Sequence, residues 1–287
     1  MRRKILQSRT VRDLRIHPLS FLLRILVWLS AAITVTILFF LIGYILYKGV
    51  PNLTLPGLFD WKYTSENQSM MPAIINTLIM VVLTLVMAVP IGVFAAIYLA
   101  EYARRGNKLV KLIRLTAETL SGIPSIVYGL FGFIVFVITL RWSYTLLSGA
   151  ITLAIMILPL IMRTTEEALM AVPDSYREGS FGLGAGRLRT VFRIIVPSAM
   201  PGILSGIILA IGRIVGESAA LVFTAGTNPV VPDSLFSSVS TLSVHMYALM
   251  TEGLYTDQAY AVAVVLLIVV ILINTLSGVV AKKLTKQ

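Results

Sequence analysis

Arg213 and Glu217 stand four residues apart in the run GRIVGESAALVFTAG, a stretch otherwise built of small, apolar and hydroxyl residues. On a continuous helix that spacing puts both side chains on one face. A charged residue at the centre of a membrane helix costs about 2.5–3.5 kcal/mol on insertion scales, so such residues pair up or line a polar path. The pair therefore has two readings. It is a self-satisfied ion pair that ties helices together, or it is a site on an anion path. Arg suits the second, because its planar fork donates two parallel hydrogen bonds to an oxyanion. The run SGIPSIVYG is the other candidate. There Pro124 frees backbone groups toward a cavity, as discontinuous transporter helices do, and Ser125 and Tyr128 offer neutral hydroxyls. The plain alternative is a proline-kinked packing helix, and for Pro90 and Pro159 that is the reading adopted.

These residues need a membrane to sit in, and the composition supplies one. Of 287 residues 57% are hydrophobic and 13% are charged. An ordinary soluble domain carries about 25% charged residues. Disorder, a collagen-like fibre and a typical soluble enzyme are excluded. There is no cysteine, and the two histidines, His17 and His245, are too few for a histidine-rich metal site. No metal site is expected.

Uncharged intervals mark the spans. They run for 23 residues after Arg24, 34 after Glu66, 22 after Glu118, 21 after Arg141, 19 after Arg193 and 24 after Asp257. A bilayer core of about 30 Å needs roughly 20 apolar residues in a helix. The sequence therefore predicts an all-α membrane protein with six transmembrane helices, the fifth running on through Arg213 and Glu217 to about Thr224. Placing both termini in the cytoplasm puts 20 of the 24 basic residues inside and leaves only Lys48, Lys62 and Arg141 outside. That is the positive-inside pattern. It accounts for the net charge of +11 without any nucleic acid. The layout is a basic tail over 1–24, a six-helix membrane domain over 25–281 and a basic tail over 282–287. The first span is longer than the 7–15 residues of a signal-peptide core and reads as a retained anchor. Trp61 and Tyr63 in the external loop from Lys48 to Met71 are expected at the interface. A short helix within Ser234–Met250 is expected to lie on the outer surface.

The segment from about 163 to 196 is too long for a simple turn between neighbouring helices. Thr164 or Thr165 is placed to cap a helix there, and Gly182, Gly184 and Gly186 break it. A second amphipathic piece, Leu188–Val196, leads into span five at Pro197. The result is a cytoplasmic helix–turn–helix suited to docking a partner.

This segment resembles the "EAA loop" of ABC-importer permease subunits, which reads E-A-A, three residues, Gly, nine residues, then I-x-L-P. Here Glu178-Gly179-Ser180, Gly184 and Ile194-Ile195-Val196-Pro197 fit at every spacing, with Gly-Ser for Ala-Ala and Val for Leu. The stretches Glu118–Gly132 and Gly212–Gly226, the start HPLSFLL and the order of spans are similar to those of phosphate importer permeases of the PstA type. The resemblance implies a type I ABC importer permease fold with a cytoplasmic coupling loop. It implies a PstC-type second permease, two ATP-hydrolysing subunits that hold ATP and magnesium, and an extracellular phosphate-binding protein. On that reading Glu217 accepts the proton of HPO4, which sulfate lacks, and so discriminates between them.

The residues agree with this division of labour. No G-x-x-x-x-G-K-[ST] phosphate loop exists, so the chain is no ATPase and carries no cofactor. No H-E-x-x-H is present, and every aspartate falls in a tail or loop, so an intramembrane protease is not expected. A lone proton-coupled transporter would need relay groups within the spans, and only Glu217 qualifies. Another oxyanion remains the alternative cargo. Gly202-x-x-x-Gly206 and Gly212-x-x-x-Gly216 are close-packing patterns. Alone they mean only tight packing within the subunit; beside the charged residues they suggest that span five lines the interface with the second permease.

Overall fold

The computed structural model describes residues 18–64, 66–104 and 106–284. The tail residues 1–17 and 285–287, including most of the basic N-terminal tail and part of HPLSFLL, lie outside them. Among the described residues every regular element is a helix. Five are long and apolar enough to cross a membrane, or six if one sharply bent pair counts as a single span.

Helix α1 (Pro18–Gly49) is 32 residues of nearly unbroken apolar sequence. Its side chains, Trp28 and Phe39 among them, are exposed over most of its length. It meets the rest of the chain at its end, where Gly49 lies against the Tyr260 carbonyl and Val264. Helix α2 (Met71–Ile97) carries Pro90 inside it and closes in a π-turn, Tyr98–Tyr102. Helix α3 (Lys108–Ser121) is amphipathic and capped by Asn107, whose Oδ1 accepts the Leu109 amide at 2.9 Å. Helix α4 (Ser125–Gly132) continues as a π-turn, Phe133–Thr139.

The expected third span is this α3–α4 pair, and it is not a straight helix. The two arms meet at 101° across Gly122-Ile123-Pro124. Pro124 has no amide to donate back to Leu120, and its ring disfavours a helical residue before it. Glu118 begins no span; it sits in the last turns of the amphipathic arm.

Helix α5 (Leu146–Met170) runs through the middle of the molecule, with Leu153, Ile157 and Ile161 fully buried. It continues through Pro159 and past Thr164 and Thr165. Neither threonine caps a helix start, and Thr164 donates back to the Leu160 carbonyl at 2.9 Å. The coupling segment is correspondingly shorter than expected: a break at Ala171-Val172-Pro173, helix α6 (Asp174–Gly182), and a turn over 183–186. Gly184 takes φ +83°, a left-handed conformation suited to glycine. Helix α7 (Arg187–Thr190), a π-turn Val191–Ile195 and helix α8 (Val196–Gly216) then form one continuous rod. The π-turn falls where Pro197, lacking an amide, leaves the Arg193 carbonyl without its helical partner.

Span five does not run on to Thr224. Helix α8 ends at Gly216, Glu217 is extended at ψ 125°, and a separate short helix α9 (Ala219–Thr224) follows. The short helix expected within Ser234–Met250 is helix α10 (Leu242–Glu252), which exposes Tyr247 and Met250. Its other face turns Leu242, Val244, His245 and Leu249 inward, against the loop between α1 and α2. Tyr63 meets His245 of this cap edge-on at 6.0 Å, while Trp61 is exposed. Helix α11 (Thr256–Leu284) packs beside α1 and α8. The shared core of α2, α5 and α8 joins Met80, Ile157 and Ile214.

Candidate transport path and coupling surface

Two broken helices meet in the membrane-embedded half. A Cβ on Gly129 of α4 would stand 2.8 Å from the Ala220 Cα of α9, so the two backbones touch and only glycine fits. The breaks are held open by specific hydrogen bonds. Tyr128 is buried, and its hydroxyl donates across the α3–α4 bend to the Leu120 carbonyl at 2.8 Å. That spends the only proton it has, so Tyr128 does not offer a donor to a passing anion as the sequence reading expected. Ser125 is half-buried in the first turn of α4.

At the second break, Glu217 is buried and its Oε1 accepts the Ala220 amide at 3.1 Å, so the carboxylate caps α9. Its own carbonyl accepts the Ser243 hydroxyl at 2.6 Å, which anchors α10 to the break. The expected shared helical face of Arg213 and Glu217 is therefore absent. The chain leaves the helix between them, and among the described residues Arg213 makes no ion pair with any carboxylate.

Arg213 instead lines an apolar cleft of about 640 Å³ with Leu160, Ser205, Leu209 and Asn274. Asn274 was missed by sequence reasoning. It is the one amide in the apolar run of α11, and that isolation was the available signal. Its Oδ1 is buried with no hydrogen-bond partner among the described residues.

The glycine patterns divide. Cβ atoms on Gly202 and Gly206 would collide with Ala168 and Thr164 of α5, at 2.6 Å from the Ala168 Cβ and 2.7 Å from the Thr164 Cβ. That first pattern packs α8 inside this subunit, not against another one. Gly212 has only Asn274 nearby, at 3.8 Å, and Gly216 meets nothing within 4 Å, so the second pattern faces open space.

The coupling segment is anchored by a residue the sequence reading used only as a span boundary. Glu101, in the π-turn after α2, is buried. Arg177 of α6 closes on it at 2.6 Å and also donates to the Leu169 and Val172 carbonyls at 3.0 and 2.8 Å. Arg187 donates to the Glu101 carbonyl and lies over the Tyr102 ring at 5.1 Å. Within the EAA-like pattern, Ser180 is buried and shares a 2.8 Å hydrogen bond with Thr190, which pins α6 to α7. Glu178, Gly179 and Gly184 are exposed, Ile194 is half-buried, and Pro197 is exposed at the start of α8. Beside them Phe181, Leu183 and Leu188 present apolar surface, Leu183 at 91% exposure.

A bundle with broken, cavity-lining helices and an exposed helical hairpin between two spans defines a membrane permease of the importer type. Residues 88–286 match the family model of the binding-protein-dependent transport system inner membrane component, and the chain belongs to that family. It is 36% identical over 285 residues to the probable ABC transporter permease protein YqgI of Bacillus subtilis, covering 90% of this chain and 94% of that one. It is 35% identical over 231 residues to the phosphate transport system permease protein PstA of Pasteurella multocida, covering 79% and 81%. It is 30% identical over 286 residues to PstA of Mycobacterium leprae, covering 93% and 92%. Among solved structures, a bacterial ABC transporter that imports the acidic polysaccharide alginate superposes with a TM-score of 0.62 at 18% identity, over 96% of this chain and 99% of that one. The MetNI methionine ABC transporter, inward-facing, gives 0.58 at 20% identity, over 75% and 94%. These likenesses establish the type I ABC importer permease fold. The chain is a multi-pass membrane component that works with separate ATPase subunits and a substrate-binding protein.

Proposed function

We propose that this chain forms half of the membrane pathway of an ATP-driven phosphate importer, alongside a PstC-type permease, with both termini in the cytoplasm. The observation that carries the cargo is Arg213. A guanidinium in a membrane cleft, with neutral polar neighbours and no carboxylate partner among the described residues, is set to bind an anion. Two relatives over most of the chain are named phosphate transport permeases, which supports the choice of anion.

In this reading the binding protein delivers phosphate at the outer face, over the cap formed by α10. Arg213 meets it in the path, with Ser125 and the Asn274 amide as neutral donors. Glu217 shapes the break that turns the path and accepts the phosphate proton. The open Gly212–Gly216 face lies against the second permease. On the cytoplasmic side, Glu178 and the apolar Leu183 and Leu188 receive the ATPase subunits, where ATP and magnesium act. Closure of those subunits moves α6. The Arg177–Glu101 and Ser180–Thr190 contacts carry that motion into α2 and the α7–α8 rod.

The cargo is tested by uptake of labelled phosphate, with sulfate as competitor, in phosphate-starved cells lacking this chain and other phosphate systems. Complementation should restore uptake that sulfate does not inhibit, and Glu217→Gln should admit sulfate. Unchanged phosphate uptake after deletion would assign the permease to another cargo. A Glu217→Gln variant as selective as wild type would remove Glu217 from discrimination.

A further inference from the structure

One cavity plays no part in the path described above. It is a cleft of about 860 Å³ between the end of α2, the start of α3 and the coupling helix α6. Its walls carry five cations, Arg104, Lys111, Arg114, Arg177 and Arg187, against two carboxylates, Glu101 and Asp174. Three of the cations already have partners. Arg114 pairs with Glu166 at 2.6 Å, Arg177 with Glu101 and Asp174, and Arg187 with the Glu101 carbonyl. Arg104 and Lys111 make no ion pair with the described residues, and both are exposed. The amino end of α3 also opens here through Gly106 and Asn107, adding the positive end of a 14-residue helix. At the wall, the Tyr102 hydroxyl is buried without a hydrogen-bond partner among the described residues. Excess cationic charge, guanidinium forks and a helix amino end in one concave site together match a tetrahedral phosphate group.

We propose that this cleft binds a phosphate group on the cytoplasmic side, at a site separate from the transport path. Two sources present that chemistry. The amphipathic α3 exposes Leu109, Leu112, Ile113 and Leu115, so it suits a membrane surface, where anionic lipids offer phosphates. The cytoplasm offers free inorganic phosphate. Either ligand would lie against the Arg177–Glu101 and Arg187–Glu101 contacts, and so would act on the link between α2 and the coupling helix.

The test uses the assembled transporter in phosphatidylcholine nanodiscs. In one arm phosphatidylglycerol is added to the discs; in the other, inorganic phosphate is titrated. The readouts are thermal midpoint and ATPase rate, and the cleft is read from the difference between wild type and cleft variants, because phosphate bound in the transport path would act on both alike. At least one ligand should shift the wild-type midpoint and rate. In Arg104→Gln/Lys111→Gln the half-effect concentration should rise about tenfold, the loss expected for removing charged hydrogen bonds. The charge-preserving Arg104→Lys/Lys111→Arg variant should respond as wild type does. A response to phosphatidylglycerol that the Gln double variant loses identifies a lipid headgroup, and such a response to inorganic phosphate identifies the free ion. If neither ligand shifts the wild type, or if the wild type and the Gln double variant shift equally, the site does not exist.

Discussion

Arg177 of the coupling helix and Glu101 at the end of the second span, 76 residues apart in sequence, are joined by a 2.6 Å ion pair. The guanidinium adds two backbone carbonyls from the end of α5 to its partners, so one side chain ties three elements together. The Glu101 contact holds Arg177 in its charged form, raising its pKa further above the ordinary value. A push on α6 therefore reaches α2 directly, without passing through α8.

Glu101→Gln keeps the shape and removes the charge. Breaking a buried ion pair by removing one partner costs about 3 kcal/mol or more. The expected result is a lowered thermal midpoint for the assembled transporter and ATP hydrolysis that continues with little uptake. Parallel measurement of ATPase rate and transport checks it, and unchanged coupling would remove this contact from the transmission route.

Tyr128→Phe deletes the hydroxyl that bridges the α3–α4 bend to Leu120. About 1 kcal/mol of local stability should be lost. Transport kinetics should show a reduced maximal rate with KM unchanged, because the hydroxyl serves the bend. A selective rise in KM would show instead that Tyr128 binds the solute.

The two glycine patterns should respond differently. Gly206→Ala forces a Cβ into Thr164, and overpacking of this kind costs about 1–3 kcal/mol. Gly216→Ala meets nothing within 4 Å of its own chain, so the subunit should fold and insert normally. If the second pattern faces the partner permease, the Gly216 variant should lower recovery of the two-permease complex in affinity co-purification.

His245 in the outer cap is buried, with its Nε2 3.3 Å from the Gln68 carbonyl oxygen, and burial pushes its pKa below the usual 6.5. Below that value the unfolded chain binds a proton that the folded cap resists. Cap stability is therefore unaffected well above about pH 6.5 and falls as the pH drops from there toward the lowered folded value. Proteolysis of the outer loops across this range should accelerate with acidity in wild type, and the acceleration should weaken in a folded His245→Asn variant.

The long uncharged intervals were legible as spans because burial in lipid forbids charge, and α1, α2, α5, α8 and α11 fall within or across them. The third interval misled because Glu118 looked like a boundary when it belongs to the amphipathic α3, while Pro124 marks the actual turn. Arg213 and Glu217 looked like one helical face because spacing alone cannot show that the helix stops at Gly216. The small residues in that run permit either course, and the choice is made by Ser243 and Ala220 hydrogen-bonding to Glu217. The coupling hairpin was readable from its fixed spacing. Its anchor was not, because Glu101 lies 76 and 86 residues from the arginines that hold it and has no local pattern.

The central claim is that Arg213 meets the transported anion. Its most direct test is ATP-dependent phosphate uptake into vesicles carrying the assembled transporter with Arg213→Gln, after assembly and binding-protein docking have been verified. Uptake should be lost at all phosphate concentrations or restored only at far higher ones, while Arg213→Lys retains part of it. Uptake at the wild-type rate and KM in Arg213→Gln would contradict the account and place the anion path elsewhere in the bundle.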